Sequence, residues 1–354
     1  MNFKFNQKYL KIWFDILTPK HLLFFEPMIR ELEKNHSVLC TSRNYREVGH
    51  VAKIRKLNLL VVGRHGGAKK FDKLVSSVKR TNLLSKIIKK HSPDIAISFC
   101  SPEASRVAFG LGIKHIGFSD SPHAVAVMRL SVPLVQKLFI PWIIPKKEFT
   151  RFGIEEKDII QYRAIDAAIT LKRKTSPKFE FPFKDDRKKT ILIRVEEDQA
   201  AYLTKNSRRS IEIIKKIIKE FGDQNVIVHG RYASQVNFLK KSFGKKAIIL
   251  SGNIDGKAFL ENTDVFVGSG GTMTAESALL GVPTISFYAV PNFIENYLIK
   301  KKLVKRETDP KKIVLAIKRS MKTSKIENRR KAKKILASME DPFPKLERTI
   351  KSLI

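Results

Sequence analysis

Residues 264–287, which read DVFVGSGGTMTAESALLGVPTISF, show how the whole chain is organised. An apolar run ends at Gly268, and a turn of small residues follows. A helical stretch covers residues 273–280, and Gly281 ends it before a second apolar run. Glycine suits both turns because it adopts positive φ without strain. A strand, a tight turn, a helix and a second strand in this order predict a βαβ unit of a parallel sheet.

The same alternation runs outward from this stretch. Short continuous apolar runs, typical of strands covered on both faces, are separated by segments of helical period. In the first half of the chain the predicted strands are residues 11–17, 37–41, 58–63, 94–99, 115–119, 137–141 and 159–162. In the second half they are residues 190–195, 225–230, 247–252, 264–268 and 282–287. Each half therefore predicts its own parallel sheet flanked by helices.

One segment between the halves breaks the pattern. Residues 172–189, KRKTSPKFEFPFKDDRKK, hold two prolines and a dense charge run and lack a helical period, which is typical of a linker. We expect an N-terminal domain over residues 1–171 and a C-terminal domain over residues 190–354, with C-terminal helices. The predicted fold class is α/β, with two Rossmann-like doubly wound domains facing a cleft, the architecture called GT-B.

The chain is strongly basic. It has 69 Lys and Arg against 34 Asp and Glu among 354 residues, a formal net charge of +35. This excess favours anionic partners such as nucleic acid, anionic lipid or phosphorylated metabolites, although its spread along the whole chain also fits a generally basic surface. With 43% hydrophobic residues the chain can bury cores, which excludes intrinsic disorder.

Cysteine usage and hydropathy indicate the compartment. Cys40 and Cys100 allow no disulfide framework, and no apolar stretch is long and uninterrupted enough to span a membrane. We therefore expect a cytoplasmic protein, with peripheral contact to the inner face of the membrane as a further expectation. No D-x-D motif, metal-ligand spacing or G-x-G-x-x-G after the first strand occurs, so the sequence predicts a metal-independent protein without a cofactor.

The turn after the strand ending at Gly268 has the composition of an anion site. Glycines let a ligand approach the backbone, and the free N–H groups and dipole of the following helix attract negative charge. Ser269 and Thr272 add hydroxyl donors, and Glu276 lies one turn further on the same helix face, within reach of a ribose diol. The alternative is a tight structural turn without a ligand.

These residues carry a resemblance. GSGGTMTAESALLGVPTIS resembles the nucleotide-sugar site of GT-B glycosyltransferases and of the non-hydrolysing UDP-N-acetylglucosamine 2-epimerases. The resemblance implies that Ser269, Gly270, Gly271 and Thr272 contact the diphosphate and that Glu276 binds the ribose. The wider chain resembles an archaeal family of about this length known only as a domain of unknown function, through WFDILTPKHLLFFEP, SFCSPEASRVAFGLGI, FSDSPHA and PWIIPKKEFTRFGI.

Further candidates follow strand ends in the first domain, where parallel sheets present ligand-binding loops. Lys20 and His21 follow the first strand in TPKH, which departs from the glycosyltransferase pattern because it contains no glycine. Glu103 follows the fourth strand, and Asp120 and His123 follow the fifth. A carboxylate beside a histidine suits acid–base catalysis, whereas helix capping by Ser119 or Asp120 is the structural alternative for that loop.

In the second domain, three basic residues lie at or just after the ends of strands. They are Arg194, His229 and Arg231, and they are predicted to bind the nucleotide sugar, because arginine forks match phosphate oxygens. The alternative is that the arginines form solvated surface pairs.

Residues 68–91 form a basic helical segment with recurring apolar residues, which are Phe71, Leu74, Val75, Val78, Leu84, Ile87 and Ile88. Such a helix can lie on anionic lipid and serve a lipid-linked or anionic acceptor. In the alternative interpretation the apolar stripe faces the protein core.

The leading prediction is an enzyme, a glycosyltransferase with a nucleotide-diphosphate sugar donor, in which His123 or Asp120 takes the proton of the acceptor hydroxyl. The alternative isomerase resembles a UDP-N-acetylglucosamine 2-epimerase and needs at least two acid–base groups, from Glu103, Asp120 and His123. A non-catalytic sensor of the same ligand is a third hypothesis. A nucleic-acid binding protein is disfavoured because aromatic-interleaved basic patches are absent.

Overall fold

The computed structural model describes residues 9–67, 69–172, 187–195, 207–230, 233–250, 256–287, 292–323 and 325–354. These residues form two compact units. Unit 1 comprises the described residues of Met1–Ala164 together with Asp341–Ile354, and unit 2 comprises those of Ile165–Glu340. Most of the predicted linker, residues 173–186, lies outside the described residues.

Unit 1 alternates strands and helices. Its strands are β1 (Lys11–Ile16), β2 (Ser37–Asn44), β3 (Leu60–Arg64), β4 (Ile95–Ser98), β5 (Lys114–Phe118), β6 (Lys137–Pro141) and β7 (Ile159–Tyr162). The helices among them are α1 (Pro19–Leu32), α2 (Arg46–Arg55), α3 (Lys70–His91), α4 (Pro102–Gly110), α5 (Val125–Ser131) and α6 (Lys147–Thr150). Short 3-10 turns, Val132–Leu134 and Glu156–Asp158, precede β6 and β7.

The seven described strands of unit 1 are parallel, in the order β3-β2-β1-β4-β5-β6-β7. β1, KIWFDI, is buried from its second residue onward because helices cover both faces of the sheet. On one face Trp13 packs with Leu84 and Ile88 of α3, and on the other Phe14 meets Phe25 of α1 with ring centroids 5.2 Å apart.

Unit 2 repeats this plan. Its strands are β8 (Thr190–Arg194), β9 (Asn225–His229), β10 (Ile248–Leu250), β11 (Val265–Gly268), β12 (Thr284–Ser286) and β13 (Val304–Arg306). Its helices are α7 (Asp166–Thr170), α8 (Ser207–Glu220), α9 (Ala233–Phe243), α10 (Gly256–Glu261), α11 (Thr272–Leu279), α12 (Phe293–Lys300), α13 (Pro310–Lys322) and α14 (Lys325–Ala337).

The unit 2 sheet is also parallel, in the order β10-β9-β8-β11-β12-β13. Ile213 of α8 and Ile313 of α13 pack on one face, and Phe259 of α10 packs on the other. The expected fold class of two Rossmann-like doubly wound domains is confirmed, and every predicted strand overlaps an observed one. Within the described part of the chain, no helix has the length and apolarity needed to cross a membrane.

The last helix, α15 (Phe343–Leu353), differs from the expected division because it belongs to unit 1. Leu346 and Ile350 are 0% and 2% exposed, and the Lys345 ammonium donates to the Gln161 carbonyl oxygen at 3.0 Å. At the other boundary, α7 belongs to unit 2, whereas the sequence predicted that residues up to 171 lie in the first domain. Each of these two helices therefore belongs to the unit with which it makes its contacts, whatever its position relative to the predicted linker.

Candidate functional site

The carboxyl edge of the unit 2 sheet carries a row of five residues, one from each of five neighbouring strands. The strand register places Gly268 of β11 beside Arg194 of β8 and beside Ser286 of β12. Arg194 in turn pairs with His229 of β9, and Ser286 pairs with Arg306 of β13. The strand order reverses between β8 and β11, and sheets of this kind usually bind ligands at the carboxyl ends of the strands at such a reversal.

Within the described part of the chain, the turn after β11 leaves the N-terminus of α11 uncovered. Gly270 and Gly271 have φ values of +90° and +84°, and Gly271, the N-cap, has a ψ of −170° that essentially only glycine tolerates with such a φ. Among the described residues no side chain caps α11, and a Cβ on Gly271 would meet no atom within 4 Å. Ser269 and Thr272 are half-buried beside this opening. The first amides and the dipole of α11 therefore offer an accessible anion site.

Gly268 has a packing role instead. A Cβ there would lie 2.5 Å from the Phe266 ring and 2.7 Å from the Thr274 hydroxyl oxygen, closer than any real contact. The glycine lets α11 approach the end of β11, which fixes where the open turn sits.

Glu276, the predicted ribose ligand, lies on α11 and is only 5% exposed. Its Oε1 accepts a hydrogen bond of 2.6 Å from the Thr170 hydroxyl of α7. The carboxylate is therefore held in place within unit 2, and its role toward a ribose stays a prediction.

Two of the three predicted basic ligands of unit 2 lie at the carboxyl edge just described. The Arg194 guanidinium donates to the Gly230 carbonyl oxygen at 2.9 Å, which ties the end of β8 to the turn after β9. His229 is buried at the end of β9, and Arg231 lies outside the described residues. The structure thus brings Arg194 and His229 onto the same edge as the GSGGT turn, residues 268–272.

Three polar residues near this edge were missed by the sequence analysis. Ser286 and Arg306 end β12 and β13, and Glu295 lies in the first turn of α12 with 4% exposure. Burial raises the pKa of Glu295 against the opposing effects of the Ser286 hydroxyl and the Arg306 charge. The strand ending at Arg306 is the sequence VKR, which is too short and too polar to signal a strand.

In unit 1 two predicted residues from distant loops meet. The Lys20 ammonium, in the first turn of α1, lies 2.6 Å from Asp120 Oδ2, after β5. Asp120 Oδ1 accepts a hydrogen bond of 2.7 Å from the Ser121 hydroxyl, and Lys20 also lies 5.0 Å from the centre of the Phe99 ring. Both oxygens of the Asp120 carboxylate are therefore oriented.

His21 and His123 belong to the same cluster. The His21 ring stacks on Phe99 at 4.7 Å and its Nδ1 accepts from the Leu17 amide at 3.4 Å. Burial, assisted by the Lys20 charge, lowers the pKa of His21 to about 3, so the ring is neutral near pH 7. Desolvation of the His123 ring lowers its pKa, and the Asp120 carboxylate opposes that shift. Of the predicted acid–base groups, only Asp120 and His123 thus lie together.

Glu103 belongs to a different, buried cluster. Its carboxylate lies 3.6 Å from the Arg80 guanidinium and 3.4 Å from the Ser101 hydroxyl. Arg80, 1% exposed, forms hydrogen bonds of 2.6 and 3.1 Å to the two oxygens of Asp15 at the end of β1. Burial alone would raise the pKa of Asp15, but Arg80, Thr41 and Ser101 outweigh it and hold the pKa below its usual value.

One feature of the sequence is a signal for this cluster. Asp15 interrupts an apolar strand, and a buried carboxylate needs a partner. Among the residues that the structure describes, no group of three or more His, Cys, Asp or Glu side chains is arranged to hold a metal ion.

Comparison with known proteins adds a family and a set of fold relatives. The model of the family described as "Protein of unknown function (DUF354)" matches residues 10–351. The uncharacterised protein MJ0665 of the archaeon Methanocaldococcus jannaschii is 29% identical over 318 residues, which cover 86% of this chain and 90% of that protein. The resemblance to an archaeal family of unknown function is confirmed.

Solved structures share the fold over nearly the whole chain. A putative UDP-N-acetylglucosamine 2-epimerase from Listeria monocytogenes has a TM-score of 0.77 at 15% identity, covering 98% of this chain and 97% of that one. The Neisseria meningitidis UDP-GlcNAc 2-epimerase bound to UDP-GlcNAc has a TM-score of 0.72 at 15% identity, covering 97% and 100%. The spinosyn forosaminyltransferase SpnP has a TM-score of 0.65 at 13% identity, covering 97% and 100%. The structure is therefore similar to GT-B glycosyltransferases and to UDP-GlcNAc 2-epimerases.

Proposed function

The chain belongs to the DUF354 family, and on that premise we propose that it is an enzyme that binds a nucleoside-diphosphate sugar through unit 2. The pyrophosphate is assigned to the N-terminus of α11, with the Ser269 and Thr272 hydroxyls as additional donors. The observation that carries the proposal is the turn at Gly270 and Gly271: both residues have positive φ, and among the described residues a Cβ on Gly271 would meet no atom within 4 Å.

The charge at this edge supports the proposal. Arg194 and Arg306 end strands on either side of β11, so this edge of the sheet carries two arginines besides the helix dipole. One arginine alone cannot neutralise the negative charge of a pyrophosphate. Several positive groups at one edge raise the local concentration of such an anionic ligand. Fold relatives whose structures contain UDP-GlcNAc or UDP are consistent with this ligand class.

We assign glycosyl transfer as the reaction. The bond between the anomeric carbon and the diphosphate oxygen breaks, an acceptor hydroxyl oxygen bonds to that carbon, and the hydroxyl proton passes to a base. Asp120 is the assigned base, oriented by Lys20 and Ser121, with His123 beside it. The amides of α11 stabilise the departing negative charge.

Epimerisation at the sugar C2 is the second candidate, because epimerases are among the fold relatives with the higher TM-scores. That reaction needs a group to remove the proton and another to return it. Glu103, one of the three groups considered for that task, is engaged by Arg80 and Ser101, which favours transfer. Incubation with UDP-GlcNAc in D2O without acceptor separates the two candidates, since only an epimerase places deuterium at C2.

Binding tests the shared part of the proposal. Gly271→Asp and Gly271→Ala both impose the strain of the glycine-only backbone, about 1–3 kcal/mol, but only the aspartate places a negative charge at the anion site. Thermal-shift and calorimetric titrations with UDP-sugars should show stabilisation of about 2.7 kcal/mol at a hundredfold excess over Kd for the wild type. Gly271→Ala should retain part of the binding, and Gly271→Asp should lose it. Equal binding by all three proteins, or no binding of any nucleotide sugar, would refute the assignment.

A further inference from the structure

Helix α3 has an apolar stripe, and the described structure covers only part of it. Leu84 and Ile88 are 0% exposed and pack in the core of unit 1. Phe71, Leu74 and Val78 are 72%, 61% and 61% exposed. At about 100° per residue, these three side chains fall within about 60° of the helix circumference. We call this stripe of Phe71, Leu74 and Val78 the α3 face.

Lysines flank the α3 face, since Lys70 directly precedes Phe71 and Lys79 directly follows Val78, and further lysines lie in the C-terminal half of the helix. The exposed cations of the helix are Lys70, Lys79, Lys86, Lys89 and Lys90, against the single acidic residue Asp72. The last turn is basic, and no acidic residue follows Asp72 within the helix. The stripe is therefore an apolar centre within a positive rim, on a chain of net charge +35.

We propose that the α3 face docks on the surface of a bilayer that contains anionic lipids. Phenylalanine, leucine and valine at this spacing enter the boundary between headgroups and acyl chains, while the surrounding lysines stay at the level of the phosphates. Anionic headgroups attract each lysine, and that attraction weakens with salt. Exposed apolar side chains that share one helix side commonly mark such interaction surfaces.

Charge separates a bilayer from the other candidate occupants. A symmetric contact with a second copy would bring the same lysine rim of both copies together, which like-charge repulsion opposes. Nucleic acid would satisfy the lysines, but interfaces with nucleic acid are polar and would leave three apolar side chains without a matching surface. An anionic bilayer complements both the apolar centre and the positive rim. The proposal uses none of the residues assigned to the nucleotide sugar, so either can fail alone.

The test is sedimentation of the full chain with vesicles of neutral phosphatidylcholine and with vesicles in which part of the lipid is anionic phosphatidylglycerol. The wild type should bind the anionic vesicles, less strongly as salt rises. A triple variant of the stripe should lose about tenfold or more in binding; it comprises Phe71→Ser, Leu74→Ser and Val78→Ser. A matched control with three comparably exposed apolar residues of unit 2 should bind like the wild type; it comprises Phe238→Ser, Leu315→Ser and Ile326→Ser, at 48%, 52% and 78% exposure.

Lysine variants test the rim, and because those side chains are exposed, their loss leaves the fold intact. Lys70→Gln, Lys79→Gln and Lys86→Gln together should weaken binding to anionic vesicles and flatten its salt dependence. Circular dichroism and Tm verify that each variant is folded. The proposal is overturned if the wild type does not bind anionic vesicles, or if the stripe variant and the control variant bind these vesicles equally. It is also overturned if ultracentrifugation shows that the stripe variant converts a dimer to a monomer, or if the stripe proves to govern RNA binding instead.

Discussion

Replacing Arg80 by methionine should destabilise unit 1 severely. The guanidinium and the Asp15 carboxylate are each 1% exposed and are joined by two hydrogen bonds, and Arg80 Nε also donates to the Val62 carbonyl oxygen at 3.0 Å. Methionine fills much of the volume but leaves Asp15 buried beside Glu103 without its cation. Removing one partner of a buried pair costs about 3–5 kcal/mol. For a unit of this size that corresponds to a fall in Tm of about 6–20 °C.

The pH dependence gives this prediction a second readout. The native pKa of Asp15 lies below its usual value, so its ion pair contributes stability above the unfolded pKa of about 3.9 and loses it as the pH falls through the native pKa. In Arg80→Met, burial acts without the opposing charge and raises the pKa of Asp15. The variant carboxyl then takes up a proton as the pH falls, and the difference in stability from the wild type shrinks in acid.

Urea unfolding monitored by circular dichroism at several pH values measures both effects. Lys34→Met is the control, because Lys34 pairs with Glu31 at 2.7 Å in unit 1 but is 63% exposed, and such pairs contribute at most about 1 kcal/mol. If Arg80→Met lost no more stability than Lys34→Met, or if its deficit stayed constant down to acid pH, the account of the buried cluster would be wrong.

Three further predictions concern histidines, glycines and Glu295. In an NMR titration, His21 and His115 should remain neutral down to about pH 5, since burial lowers their pKa values to about 3 and about 4; protonation of either near pH 6.5 would contradict this. Gly281→Ala should destabilise unit 2 far more than Gly112→Ala destabilises unit 1 by urea unfolding, because both have positive φ but only a Cβ on Gly281 would lie 2.5 Å from the backbone of α14. Glu295→Gln should raise Tm at pH 8 and have little effect at pH 4, because a carboxyl whose native pKa is raised costs stability only where it is ionised in the unfolded chain; a lower Tm at pH 8 would count against it.

The sheets were predictable because their strands carry a local signal. Runs such as TILIR and VFVG are apolar on both faces, and burial in the structure follows them residue by residue. The strand Val304–Arg306 lacked that signal, since Lys305 and Arg306 make it read as a loop. The helix Phe343–Leu353 is amphipathic, but amphipathicity does not say which sheet a helix covers, so its assignment to unit 1 came only from packing.

For the candidate site, the sequence predicted which turns carry functional residues, but it did not predict which side chains contact each other. The turn at Gly270 and Gly271 is local, and its positive φ values follow from composition. The pairing of Lys20 with Asp120 spans 100 residues, and Thr170 reaches Glu276 across 106. Such contacts depend on the assembled sheets, because a polar side chain in one loop does not specify its partner. For the same reason the burial of Arg80 could not be predicted, because in the sequence it is one of many basic residues of helix α3.

Unit 1 is built from two separate pieces of chain, with Ile165–Glu340 encoded between them. A ribosome therefore delivers all of that intervening segment before α15, which takes about 10–35 s at a translation rate of about 5–20 residues per second. During that interval the apolar surface that receives Leu346 and Ile350 is uncovered on the nascent chain. A chaperone that shields such surface has a defined window of synthesis in which to act.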